Sequence, residues 1–282
     1  MLKLIECPRD AMQGFSHFIP TQTKIDYIQQ LLAVGFDTLD VGSFVSPKAI
    51  PQMADTAAVL EGIDLSASET RLLAIVANYK GAVEASKHYK VFYLGFPFSI
   101  SETFQKRNTN QTVQEAFDNV KAIQSLANNH LMELVVYFSM GFGNPYGDPW
   151  NAELVEEWVA KMSDIGITTI ALSDTIGIAN KESISDIFTK LIPRYPEIEF
   201  GAHLHTTPDT WQEKIEAAYN AGCRRFDGAI KGFGGCPMAE DKLTGNMPTE
   251  NMVGYFEKLG IATGINKLAF EKAQLQALNV FV

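Results

Sequence analysis

His203 and His205 stand two apart at the end of an apolar run that begins at Ile198. An extended chain turns alternate side chains to one face, so the two imidazoles aim into the same space. Neutral imidazoles at that spacing make a pair of ligands for a divalent cation. They would also serve as two core histidines bonded to backbone, because so short a motif recurs by chance. Partners from elsewhere decide between the two readings. Arg9, Asp10, Asp40, Ser43, Asp174, Cys236 and Asn246 carry suitable chemistry, but they are scattered along the chain.

The elements that must gather them are legible as an alternation. Short runs rich in Val, Ile and Leu predict strands near 2–5, 38–41, 72–76, 91–94, 134–138, 169–172, 199–205 and 225–228. Segments of helical period lie between them, near 21–34, 52–60, 79–86, 112–128, 152–165, 181–192 and 209–221, with a further pair near 249–259 and 267–278. Ile25, Ile28, Leu31 and Leu32 recur at spacings of three and four. Gly35, Gly166 and Gly222 end helices just before a strand, where a left-handed residue is cheap for glycine. Eight strands, each followed by a helix, predict an α/β fold of the (β/α)8 barrel type, a TIM barrel. A doubly wound sheet would need a Gly-rich first turn, and residues 6–10 do not provide one. No linker composition interrupts the chain. One catalytic domain over 1–282 is expected, with a short helical extension from about 249.

In such a barrel the working groups lie on loops after the carboxyl ends of the strands. Arg9 and Asp10 follow strand one, Asp40 closes strand two, Ser173 and Asp174 follow strand six, and His203 and His205 end strand seven. Cys236 and Asn246 lie in the long loop after strand eight. Facing the histidines across the mouth, Asp10 becomes a third ligand and Asn246 adds an amide oxygen. One carboxylate, two imidazoles and one amide suit Mg²⁺ or Mn²⁺, with Zn²⁺ or Co²⁺ as competitors.

Composition sets outer limits. The 282 residues are 46% hydrophobic and 20% charged, as in an ordinary globular protein, and the formal net charge is -10. Without a clustered basic surface, nucleic acid is not an expected partner. Three cysteines and no CxxC predict reduced thiols and a cytoplasmic protein. No apolar run is long enough for a membrane span, so a membrane is not expected as a partner either.

Several ordered motifs bear a further resemblance. Pro8–Arg9–Asp10, Ser43–Phe44–Val45–Ser46–Pro47–Lys48, Ser101–Glu102–Thr103–Phe104, Ser173–Asp174–Thr175–Ile176–Gly177, His203-x-His205 and Gly232-x-Gly234–Gly235–Cys236–Pro237 with Gly245–Asn246 stand in one order. Together they resemble the 3-hydroxy-3-methylglutaryl-CoA lyase family, over nearly the whole chain. That resemblance implies cleavage of the acyl-CoA to acetoacetate and acetyl-CoA. It also implies a divalent cation on Asp10, His203, His205 and Asn246. Arg9 would stabilise the enolate oxygen, Cys236 would protonate the enolate carbon, and His203 or Asp10 would take the hydroxyl proton. Asp40 and Asp174 join the catalytic set, Asp174 as an acid that acts through the groups around the ligands, and Glu250 resembles a residue near the ligand asparagine. Gln13, Ser43, Lys48, Arg107 and Asn108 are expected to contact the substrate. A homodimer is also expected.

Four positions depart from the pattern. Asp40 stands where the family has Glu, Thr206 where it often has Asp, and Cys7 where it has Gly. Residues 14–17 lack the lysine that meets the CoA phosphates, which leaves Lys48, Lys106 and Arg107 for that task. The competing readings are a lyase or condensing enzyme for a related 3-hydroxyacyl-CoA or 2-oxo acid, and a silent acyl-CoA or metal-binding module. Replacing Arg9 by Gln is expected to remove most of the turnover with little loss of stability.

Overall fold

A computed structural model of the chain describes residues 1–235 and 244–281. Eight strands are parallel: β1 (Lys3–Glu6), β2 (Thr38–Ser43), β3 (Arg71–Ile75), β4 (Val91–Ser99), β5 (Glu133–Ser139), β6 (Thr169–Asp174), β7 (Glu199–Thr206) and β8 (Arg225–Gly228). Each pairs with its sequence neighbour, and β8 returns to β1 with Lys3 opposite Arg225 and Glu6 opposite Gly228. The sheet therefore closes, and the fold is the (β/α)8 barrel that the alternation predicts.

The helices that cover it are α1 (Pro8–Gln13), α2 (Thr21–Leu32), α3 (Thr56–Gly62), α4 (Tyr79–Ala85), α5 (Glu102–Thr109) and α6 (Val113–Asn129). They continue with α7 (Ala152–Asp164), α8 (Lys181–Arg194), α9 (Trp211–Asn220), α10 (Thr249–Lys258) and α11 (Lys267–Val280). Strand parity divides the core. Leu4, Leu39, Leu72, Leu94, Leu134, Ile170, Leu204 and Phe226 belong to the large apolar cluster between sheet and helices. Leu73, Ile75, Tyr93, Val135, Tyr137 and Ala171 form a separate small cluster inside the barrel. The inward positions of the other strands carry Asp40, His203, Arg225 and Asp227, so one half of the barrel interior is polar. The helix α11 lies against α2, where Gln30 Nε2 donates to the carbonyl of Ala269 at 2.9 Å and Phe36 meets Phe270 edge-on. It closes the ring between the last helices and the first.

Local differences from the sequence reading have physical causes. The helix expected over 52–60 is split into a 3-10 turn, Pro51–Met53, and α3. Lys24 Nζ takes the carbonyl of Gln52, and Thr56 Oγ1 donates to that of Met53 at 2.8 Å, so both are withdrawn from a helical ladder. The fourth strand runs to Ser99 rather than 94. Gly95 within it answers to packing, since a Cβ there would lie 2.6 Å from Ile75 Cδ1. The turn after β1 is the short helix α1, which Pro8 opens at its first position, where no N–H is needed. The helix α5, capped by Ser101, was not anticipated. Within the loop after β8, β9 (Gly245–Asn246) pairs antiparallel with β7, placing Asn246 opposite His205.

Candidate active site

A cavity of about 470 Å³ opens at the carboxyl ends of the strands. Its wall includes Arg9, Asp10, Gln13, Tyr137, His203 and His205. The short helix α1 sets the first three of these. Arg9 Nε donates to both oxygens of Asp40, at 3.2 and 3.0 Å, and its Nη2 reaches the same carboxylate. Its Nη1 donates to Asp10 Oδ1 at 3.0 Å and to Gln13 Oε1 at 2.9 Å. Gln13 Nε2 closes the ring by donating to Asp10 Oδ1 at 2.7 Å. The guanidinium fork is thus held flat between two carboxylates, a geometry that a lysine cannot reproduce.

Both histidines are oriented through the same ring atom. Nδ1 of His203 lies 3.1 Å from Asp227 Oδ2, and Nδ1 of His205 lies 2.9 Å from the carbonyl of Thr175. A partner at Nδ1 fixes the tautomer and leaves Nε2 with its lone pair. Nε2 of His205 is buried and has no hydrogen-bond partner among the described residues. Donor atoms of Asp10, His203 and His205 all lie within 4.8 Å of one another. Asn246 joins them from β9, its Nδ2 donating to Asp10 Oδ2 at 2.7 Å and to the carbonyl of Phe233 at 2.9 Å. An orphaned imidazole nitrogen beside a buried carboxylate and a second imidazole fits a divalent cation.

The charges are strongly coupled. Burial alone would raise the pKa of Asp10, but Arg9 and the two histidines outweigh it and hold the carboxyl below its ordinary value. Burial raises Asp40 to about 6, although Arg9 pulls the other way. Burial would lower His203, yet the bond and charge of Asp227 leave it raised. His205 is lowered by burial and by its neighbour His203.

The remaining expected residues fall in several places. Ser43, Arg107 and Asn108 line the cavity, and Arg107 also lies over the ring of Tyr146, 4.6 Å from its centroid. Lys48 is exposed on the turn between the lining residues Ser46 and Ala49 and does not itself line the cavity. Asp174 is turned away from it. Its Oδ2 accepts from Lys214 Nζ at 2.7 Å and its Oδ1 from the amide of Ala179 at 3.1 Å. In this arrangement it meets neighbouring groups and not the cavity wall. Glu250 accepts from the amide of Lys231 at 2.9 Å and does not line the cavity. Cys236 lies outside the described residues.

Two supporting groups escaped the sequence reading. Asp227 was visible in principle, because it shares the inward parity of β8 with Arg225 in a strand expected to be apolar. Lys214 gave no signal, because a lysine on an amphipathic helix reads as surface. Here it is 1% exposed and bonds Asp174, the carbonyl of Gly177 and the carbonyl of His205.

Three kinds of likeness bear on this geometry. The HMGL-like family model matches residues 3–275. The mitochondrial hydroxymethylglutaryl-CoA lyase of Macaca fascicularis is 33% identical, over 94% of this chain and 81% of its own. Hydroxymethylglutaryl-CoA lyase YngG of Bacillus subtilis is 32% identical, over 92% of this chain and 85% of its own. Among solved structures, an HMG-CoA lyase from Acinetobacter baumannii in complex with coenzyme A and 3-methylmalate superposes with a TM-score of 0.92. It is 31% identical and covers 100% of this chain and 91% of that one.

Proposed function

Because the chain belongs to the HMGL-like family, we propose that it is a divalent-metal-dependent carbon–carbon lyase that cleaves 3-hydroxy-3-methylglutaryl-CoA to acetoacetate and acetyl-CoA. The observation that carries this reading is the convergence of Asp10, His203, His205 and Asn246 beside Arg9 at one barrel mouth. Asp10, His203, His205 and Asn246 would hold the ion, with Mg²⁺ or Mn²⁺ favoured where waters fill the remaining positions with oxygen. When bound, the ion acidifies an alcohol and fixes its orientation.

The chain's own groups do the rest. An imidazole nitrogen has one lone pair, so Nε2 of His203 either ligates the ion or takes a proton at any moment. His203 and Asp10 are the two candidate proton acceptors, and Asp227, whose Oδ2 lies 3.1 Å from His203 Nδ1, would stabilise the cation formed on His203. Arg9 presents a fixed positive charge where the thioester enolate develops. Cys236 would return a proton to the enolate carbon. Ser43, Gln13, Arg107 and Asn108 would position the acyl-CoA, with Lys48 at the rim. A homodimer and a cytoplasmic location belong to the same proposal, and no described helix is long and apolar enough to cross a membrane.

The test is release of acetoacetate and acetyl-CoA from 3-hydroxy-3-methylglutaryl-CoA, run beside shorter and longer 3-hydroxyacyl homologues. Activity should vanish on chelation and return with Mg²⁺ or Mn²⁺. Full turnover by metal-free protein would refute the cation site, and preference for a homologue would reassign the acyl group.

A further inference from the structure

The helix α11 ends on a ring that touches two of the loops behind the site. Phe281, its C-cap, is buried. Its ring centroid lies 4.7 Å from that of Phe233, 5.4 Å from Phe15 and 5.8 Å from Tyr27. Phe15 lies two residues past the end of α1, the helix that carries Asp10, and its amide still donates to the carbonyl of Met12 at 3.0 Å. Phe233 leaves the turn after β8, and its carbonyl accepts the Asn246 amide that also bonds Asp10. The next residue, Gly234, passes so close to α1 that a Cβ would lie 2.6 Å from the Asp10 carbonyl, and its φ of +83° suits glycine alone.

From this arrangement we propose that Phe281 is a positioning residue for the cation site, holding the Phe233 and Phe15 loops so that Asp10 and Asn246 keep their relative geometry. The proposal rests on reading Asp10 and Asn246 as ligands. Asn246 sits on a strand of two residues. Its amide is oriented by Asp10 and by the Phe233 carbonyl, and the position of that carbonyl follows the Phe233 ring. Offset aromatic pairs hold a defined separation, so the Phe281 ring fixes the depth of Phe233 from behind. Groups that hydrogen-bond a ligand directly, as the Phe233 carbonyl does here, typically change metal affinity by about 10–100-fold when removed, and a ring one contact behind them is expected at the lower end of that range.

The experiment compares wild type with Phe281→Ala, Phe281→Leu and Phe233→Ala, using the metal-free full chain titrated with Mn²⁺. Phe233→Ala keeps the main-chain acceptor and removes only the ring. Free Mn²⁺ read by electron paramagnetic resonance should show a Kd raised about tenfold in Phe281→Ala and Phe233→Ala, with a smaller rise in Phe281→Leu. The double alanine variant should be no weaker than either single one. Amide exchange over 230–235 in the metal-free proteins should quicken in the same order. Unchanged affinity and exchange in the folded variants would overturn the proposal. If Phe281→Ala does not fold, Phe281→Leu and Phe233→Ala decide it by the same readings. A wild type that binds no Mn²⁺ would overturn the cation-site reading and this proposal together, whereas normal wild-type binding with insensitive variants overturns this proposal alone.

Discussion

Arg9, proposed as the cation that faces the developing enolate, is also the charge that favours ionised Asp40 and Asp10 inside the protein. The sequence assigned it the first role and missed the second, because its partner Asp40 is 31 residues away. Arg9→Gln should lower kcat by about 10²–10³-fold, the usual effect of removing an oxyanion partner. It should also destabilise the fold, contrary to the expectation of little loss, because breaking a buried pair costs about 3–5 kcal/mol. Uptake of a proton by Asp40, already raised to about 6, would soften that cost. Adding Asp40→Asn should restore part of the stability without restoring turnover. Urea unfolding and steady-state kinetics on the single and double variants separate the two roles; a single variant as stable as wild type would show that the pair is not structural.

At the level of elements, the ends of β6 and β7 are tied together by one cation from α9. Lys214 reaches Asp174, Gly177 and His205 at once, and the last of these is the main chain of an expected ligand. Lys214→Met should destabilise by about 3–5 kcal/mol, since it strands the Asp174 carboxylate in a buried place. Lys214→Met with Asp174→Asn should recover much of that. Thermal melting of the two proteins checks it, and equal Tm values would show that the pair contributes no strain when broken. Strand and helix identities were legible from periodicity here, but this tie was not. Amphipathic period reports which face of α9 is apolar, and it says nothing about a long side chain whose tip enters the sheet.

Across the whole molecule, Glu6 joins the first strand to the last third of the chain. Its Oε1 accepts from the amide of Ile230 at 2.8 Å and its Oε2 from Thr249 Oγ1 at 2.5 Å. Burial pushes its pKa from 4.5 to about 8, even though both bonds lower it. A carboxyl whose folded pKa is raised favours folding most below its unfolded value. That contribution is lost progressively as pH rises from about 4.5 to about 8, because the unfolded chain binds fewer protons across that window. The total swing is on the order of a few kcal/mol. Glu6→Gln keeps an acceptor for Ile230 and removes the titration, so its stability relative to wild type should grow from pH 5 to pH 8.5. Denaturant unfolding at several pH values measures this, and a constant difference across the window would show that Glu6 is ionised in the fold at neutral pH.

From its sequence alone this protein is an eight-fold alternation of strand and helix, with Arg9, Asp10, Asp40, His203 and Asn246 on or beside strand ends. Local period and turn chemistry act over a few residues, and they suffice for that much. Only the tertiary structure decided which atoms face one another. It aimed Asp227 at His203, placed Asn246 opposite His205 through an unanticipated two-residue strand, and turned Asp174 toward Lys214 instead of the cavity. Those choices depend on bonds between groups far apart in the chain, such as Asn246 to Asp10 across 236 positions. No periodicity carries them, because they are set when the barrel closes and burial makes an unpartnered polar atom costly.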